Sequence, residues 1–171
     1  MSTAATAIAP ETLLTLRTMM VENLRSEFAT TKKVLACLKD GEWKPDPHAR
    51  TGPEIAWHLV DSEIWFLDGI ADQSFGPYGQ RPQPANVAEI LYWYEQQFPR
   101  AIERIEKLDA TQLSAILDFF GMKMPAYALL NFDLVHTVHH RGQLATYLRP
   151  LGGRCPDIYG GSYDEPWQGG Q

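Results

Sequence analysis

The chain has 171 residues, 44% hydrophobic and 21% charged, enough for one well-buried core and short for two, so a single domain over residues 1–171 is expected. A formal net charge of −6, with Lys and Arg scattered rather than clustered, argues against a nucleic-acid or anionic-membrane partner. The opening MSTAATAIAPETLL lacks a basic leader, and no segment approaches the roughly 18 uninterrupted apolar residues of a membrane span, so a soluble cytoplasmic protein is expected.

From Pro10 onward, Leu13, Leu16, Met20, Leu24, Phe28, Leu35 and Leu38 recur at steps that fit a long amphipathic helix over about 10–40. Asp40-Gly41 should end it, with Gly41 as a left-handed cap ahead of the Pro45-Asp46-Pro47 turn. Thr51-Gly52-Pro53-Glu54 reads as a capping box that starts a second helix, about 52–71, whose inner stripe includes Ile55, His58, Leu59 and Trp65. Asp61 and Ser62 follow one turn beyond His58.

The stretch Ser74 to Pro84 is dense in Gly and Pro and reads as a loop. Asn86 with Glu89 begins a third helix, about 86–108, with Val87, Ile90, Leu91, Tyr94, Phe98, Ile102 and Ile105 inward and a kink expected at Pro99. Between 111 and 124 the pattern is ambiguous: Leu113 to Leu117 suits a short helical turn, whereas Asp118-Phe119-Phe120-Gly121 looks extended. Pro125 suits the first turn of a fourth helix, about 125–150, carrying Leu129, Phe132, Asp133, His136, His140, Gln143 and Tyr147 on one face. The Ala-rich first residues should fray, and the tail 154–171 reads as an irregular segment pinned by Ile158, Tyr159, Tyr163 and Trp167. Four amphipathic helices point to an all-α four-helix bundle, in which metal sites are built from inward side chains on facing helices.

Three of the chain's five histidines stand at 136, 139 and 140. Positions 136 and 140 lie roughly 40° apart on one helical face, so both imidazoles can reach one ion. His139 could replace His140 in that pair but not join both, since it lies about 100° around from it. Two imidazoles leave an ion underliganded, and a third ligand must come from elsewhere. His58, inward on the second helix, is the natural choice; His48 lies in a Pro-rich loop, where a solvent-facing side chain is the ordinary outcome. Cys37 and Cys155 form no C-x-x-C pair and signal neither a disulfide framework nor a thiolate metal site.

The Trp57-His58-Leu59-Val60-Asp61-Ser62-Glu63 helix, the His136-x-x-His139-His140-Arg141-Gly142-Gln143-Leu144 run, Arg149-Pro150-Leu151-Gly152 and Pro156-Asp157-Ile158-Tyr159-Gly160 together resemble the DinB family of the DinB/YfiT-like superfamily. The resemblance covers nearly the whole chain. It implies an up-down-down-up four-helix bundle, a homodimer, and a divalent metal such as zinc or nickel held by His58, His136 and His140, with His139 at the adjacent, non-ligating position. It also implies a small-molecule substrate and a low-molecular-weight thiol as possible cosubstrate, since the superfamily includes mycothiol-dependent maleylpyruvate isomerases and bacillithiol transferases.

Three neutral imidazoles leave a coordination position open, which is the arrangement of a catalytic site, where the ion activates water or a thiol. A non-catalytic bundle stapled by the ion is the alternative. Asp61 and Asp133 are the carboxylates to weigh as fourth ligand, imidazole partner or general base, against the plain reading of helix-surface acids. Gln143 and Tyr147 could line the mouth, though packing explains Tyr147 equally well; Gly142 should permit a close helix contact, and Arg141, pointing away from the histidine face, suits a salt bridge or subunit contact.

Overall fold

A computed structural model describes residues 8–167; the expected fraying of the first residues, and the last four of the tail, fall outside the described residues. Four long helices, α1 (Pro10–Cys37), α2 (Gly52–Ala71), α3 (Val87–Glu106) and α5 (Ala126–Ala145), are joined by a short helix α4 (Ala110–Ser114) and two strands, β1 (Ile116–Phe119) and β2 (Met122–Pro125). The chain is mostly helical. α1 and α2 each pack against both α3 and α5, so every long helix is covered on two sides.

The start signals read from the sequence are used. Thr51 Oγ1 accepts from the Glu54 N–H at 3.3 Å while the Glu54 carboxylate accepts from the Thr51 N–H at 2.7 Å, closing the capping box that starts α2. Asn86 caps α3 by accepting from the Glu89 N–H at 2.9 Å. α3 continues through Pro99, which stands on its exposed face.

Helix ends differ from expectation. α1 stops at Cys37, with Leu38 already extended, and Gly41 is not left-handed. The need at Gly41 is for space: a Cβ there would lie 2.7 Å from Leu151 Cδ2. α5 stops at Ala145, five residues short; one further turn follows, with the Leu151 N–H donating to the Tyr147 carbonyl at 3.1 Å and the Gly153 N–H to the Leu148 carbonyl at 2.7 Å, and it closes at left-handed Gly152 (φ 79°) before the chain crosses the end of α1. A Cβ at Gly153 would sit 2.2 Å from the Cys37 carbonyl oxygen, so only glycine allows that crossing.

The all-α expectation is corrected by the hairpin β1–β2, whose antiparallel register pairs Phe119 with Met122 and leaves Phe120-Gly121 as a two-residue turn. Both turn residues have positive φ (52° and 83°), which is the type I′ geometry that matches strand twist. Asp118 supports it by accepting from the Gly121 N–H at 2.8 Å and from Lys123 Nζ at 2.7 Å. Leu117 and Phe119 alternate inward to the core, and Pro125 serves as N-cap of α5 rather than as its first-turn residue.

The tail is irregular as expected but is held by polar bonds rather than aromatic anchors. Tyr159, Tyr163 and Trp167 are exposed. Asp164 accepts from the Cys155 N–H at 2.8 Å, Glu165 from the Asp157 N–H at 3.0 Å, and Ser162 Oγ donates to the Cys155 carbonyl at 2.6 Å. Ile158 packs on the core, and the Tyr159 hydroxyl reaches α1 by donating to Glu27 at 2.7 Å.

Candidate metal centre

α2 supplies His58 and α5 supplies His136 and His140, one turn apart. Because α2 and α5 pack directly, the three half-buried imidazoles meet between them, each with a ring nitrogen within 4.8 Å of the others. Ring centroids are 4.5 Å apart for His58–His140, 4.4 Å for His136–His140 and 5.4 Å for His58–His136.

The outward nitrogen of each ring has a protein partner. His140 Nδ1 lies 3.0 Å from Gln143 Oε1, one turn along α5, and His58 Nδ1 lies 2.9 Å from the Tyr78 hydroxyl. Ser62 Oγ donates its proton to the His58 carbonyl at 2.6 Å, so its lone pairs are what face His136 Nδ1 at 3.5 Å. Placing the protons on Nδ1 satisfies all three contacts and leaves the Nε2 lone pairs of His58 and His140 facing one another at 3.2 Å. Two bare lone pairs at that separation repel, and a cation between them removes the repulsion. Two nitrogens each about 2.0–2.1 Å from a tetrahedral zinc lie about 3.3 Å apart, so the spacing fits such an ion.

Burial is the first cause of lowered pKa at all three imidazoles, reinforced by Arg50 and neighbouring histidines; His58 and His136 are each brought down to about 4, and His140 is lowered although its Gln143 hydrogen bond acts the other way. The rings are neutral at pH 7, the form in which imidazole binds metal.

The loop after α2 is positioned by α2 itself. Gly69 lets the Phe75 ring lie against the helix, since a Cβ there would be 2.3 Å from Phe75 Cδ1. Trp65 Nε1 donates to the Gly76 carbonyl at 2.9 Å, and Arg81 binds Asp61 at 3.0 Å and Asp68 at 2.8 Å. These contacts bring Tyr78 over His58, where burial first and then the Asp61 charge push its hydroxyl up to about 12 and keep it protonated.

The remaining residues fall apart from the centre. His139 is exposed, with its ring 4.8 Å from that of His140 but outside the converging group, and His48 is exposed in its loop. Asp61 and Asp133 are not surface carboxylates, contrary to the plain reading: they are 2% and 0% exposed. Asp61 is taken up by Arg81, and burial raises its pKa. Asp133 faces the core beside Glu63, and burial followed by the Glu63 charge pushes its pKa well up. Both Asp133 carboxylate oxygens, Glu63 Oε1 and Thr137 Oγ1 are buried with no hydrogen-bond partner among the described residues, while the Tyr94 hydroxyl donates to Glu63 Oε2. Neither aspartate joins the three histidines. Tyr147 is buried against Trp43 and packs rather than lining a mouth, and Gly142 is exposed with nothing near a Cβ position, so no close contact needs it. Arg141 is buried and pairs with Glu27 of α1, as a salt bridge.

Sequence reasoning missed Tyr78, Gln143 as a partner of His140, and an aromatic cavity of about 210 Å³ beside the imidazoles of His58 and His136. The i to i+3 step from His140 to Gln143 was available in the sequence as a helical-neighbour signal. Tyr78 was not, because a loop residue has no periodicity to place it.

Among solved structures, a DinB-like protein from Bacillus cereus is 27% identical, with a TM-score of 0.71 over 82% of this chain and 95% of that one. A DinB-like protein from Bacillus subtilis, YjoA, shares the fold at 20% identity, with a TM-score of 0.68 over 86% and 99% of the two chains. The uncharacterized protein YrdA of Bacillus subtilis is 31% identical over 144 residues, 81% of this chain and 85% of that protein. The profile of the DinB family matches residues 1–169, and the chain belongs to that family.

Proposed function

We propose that this chain is a divalent-metal-dependent enzyme, thiol transferase-like or hydrolase-like, with His58, His136 and His140 holding zinc or nickel. The observation that carries this reading is the convergence of three neutral imidazoles, each engaged at its outward nitrogen, with no carboxylate among the described residues joining them. Three protein ligands leave a position for a small molecule. A divalent ion there supplies a Lewis acid that lowers the pKa of a bound water or thiol toward neutrality.

The chain's own residues then have separable tasks. Gln143, Tyr78 and Ser62 fix tautomer and ring orientation, as groups behind metal-bound imidazoles do. The aromatic cavity excludes water from one side of the centre. Asp61 acts through Arg81 on the loop, and Asp133 belongs to the core, so neither is given the role of general base.

The same reading takes residues 1–171 as one domain with up-down-down-up helices, cytoplasmic, acting on a small molecule with a low-molecular-weight thiol as cosubstrate. It takes the protein as a homodimer. Support for dimerisation is the apolar face between α1 and α5, where Phe132 and Val135, 40% and 60% exposed, line a cavity of about 500 Å³ with Leu16 and Met20.

A second reading, a non-catalytic bundle in which the ion staples α2 to α5, is favoured by one observation: none of the described carboxylates stands at the centre as a base. Cobalt(II) substitution separates the two. An open centre shows a sulfur-to-cobalt charge-transfer band and shifted visible bands when 2-mercaptoethanol is added; a closed structural centre shows neither, and its removal lowers the melting temperature sharply. Turnover of a thiol and electrophile panel by the loaded protein then identifies the reaction.

A further inference from the structure

The cavity beside the histidines is lined almost wholly by aromatic rings. Phe66, Phe119 and Phe132 stand in mutual contact with centroids 5.2–5.6 Å apart, and Trp65 joins them at 5.3 Å from Phe66 and 6.0 Å from Phe119. Phe120 closes the outer edge, stacked on Trp65 at 5.6 Å and 30°.

Phe120 is in the wrong place for folding. It occupies a type I′ turn position that favours Asn, Asp or Gly, with φ 52°, a left-handed conformation that is strained for a bulky side chain. Its ring gains little burial in return, being 72% exposed. Strain of this kind persists where a site requires it. The turn holds an aromatic ring out over the cavity, and a ligand lying beneath would cover it.

Charge adds a second constraint: a divalent ion held by three neutral imidazoles keeps its full positive charge, which suits an anionic head group.

Resting on the metal-centre reading, we propose that the cavity receives the flat aromatic ring of a ligand whose anionic head, a carboxylate or thiolate, lies toward the three histidines. About 210 Å³ accommodates a substituted single ring, and the walls offer the stacked and edge-on faces that aromatic rings prefer. The His58 and His136 imidazoles line the same cavity, so ring and head are served by one continuous space.

The test compares ligands with the same head on the zinc-loaded full chain, by calorimetry. Benzoate should bind roughly tenfold or more tighter than acetate, the ratio that burying one phenyl group supplies, and benzyl mercaptan should exceed ethanethiol similarly. Phe120→Ala should bring that ratio close to one with zinc content unchanged, and Phe120→Tyr should restore it. Zinc bound with no aromatic preference, or a preference unaltered by Phe120→Ala, overturns the pocket and leaves the metal centre standing. Absence of zinc with the aromatic preference intact overturns the metal centre and with it the placement of the head.

Discussion

Arg141 sits directly beside a proposed ligand on α5, yet its side chain is 1% exposed and turned to α1. It forms an ion pair with Glu27, donates to the Glu27 carbonyl at 3.3 Å and to Thr31 Oγ1 at 3.4 Å, and contacts the Tyr159 hydroxyl, joining α5, α1 and the tail. Arg141→Met keeps most of the volume and removes the charge. Breaking a buried pair by deleting one partner costs about 3–5 kcal/mol, because the other charge is left desolvated. The Glu27 side chain is 13% exposed and retains the Tyr159 hydroxyl at 2.7 Å, so the lower end applies, about 3 kcal/mol. For a chain of this length that lowers the melting temperature by roughly 6–12 °C. Urea unfolding followed by circular dichroism measures it. Adding Glu27→Gln to Arg141→Met should recover a substantial part of the loss, and Arg141→Lys should recover only some, since an ammonium cannot reproduce the planar fork. A loss below about 1 kcal/mol, the value of a solvent-screened surface pair, would refute the argument.

Other outcomes follow from the same geometry. Burial raises the Glu63 carboxyl to about 7, and Asp133 is raised by burial and then by Glu63. An acid whose folded pKa lies above its unfolded value binds more protons when folded, so stability falls as pH rises between about 4.5 and 7; Glu63→Gln should flatten that slope in denaturant titrations across pH, and an unchanged slope contradicts the assignment. Gly69→Ala should cost about 1–3 kcal/mol by driving a methyl into the Phe75 ring and should loosen the Tyr78 loop, read as faster limited proteolysis between α2 and α3; wild-type stability and cleavage would contradict it. Thr51→Ala removes the α2 cap and should cost about 1 kcal/mol in urea unfolding.

The four long helices were legible because their apolar stripes repeat at helical period and because Thr51-Glu54 and Asn86-Glu89 mark starts by local hydrogen bonding. The meeting of His58 with His136 and His140 was legible for a similar reason: inward faces of two packed helices must oppose each other. What periodicity does not encode was missed. Gly41 looked like a left-handed cap but is small because Leu151 lies against it, a contact made 110 residues away in sequence. The extended character of 118–121 was legible, but the hairpin's turn was hidden because Phe120 occupies a position ordinarily marked by Asn or Asp. The burial of Asp61 and Asp133 was invisible because a carboxylate on an amphipathic helix reads as solvated until its neighbours are known.

The central claim is that three histidines from two helices hold one divalent ion. Elemental mass spectrometry on protein purified without chelator, and after reloading with zinc or nickel, tests it directly. About one ion per chain is predicted for the wild type, His48→Ala and His139→Ala, with near-complete loss in each of His58→Ala, His136→Ala and His140→Ala. Full metal content in His58→Ala, or loss in His139→Ala, would contradict it.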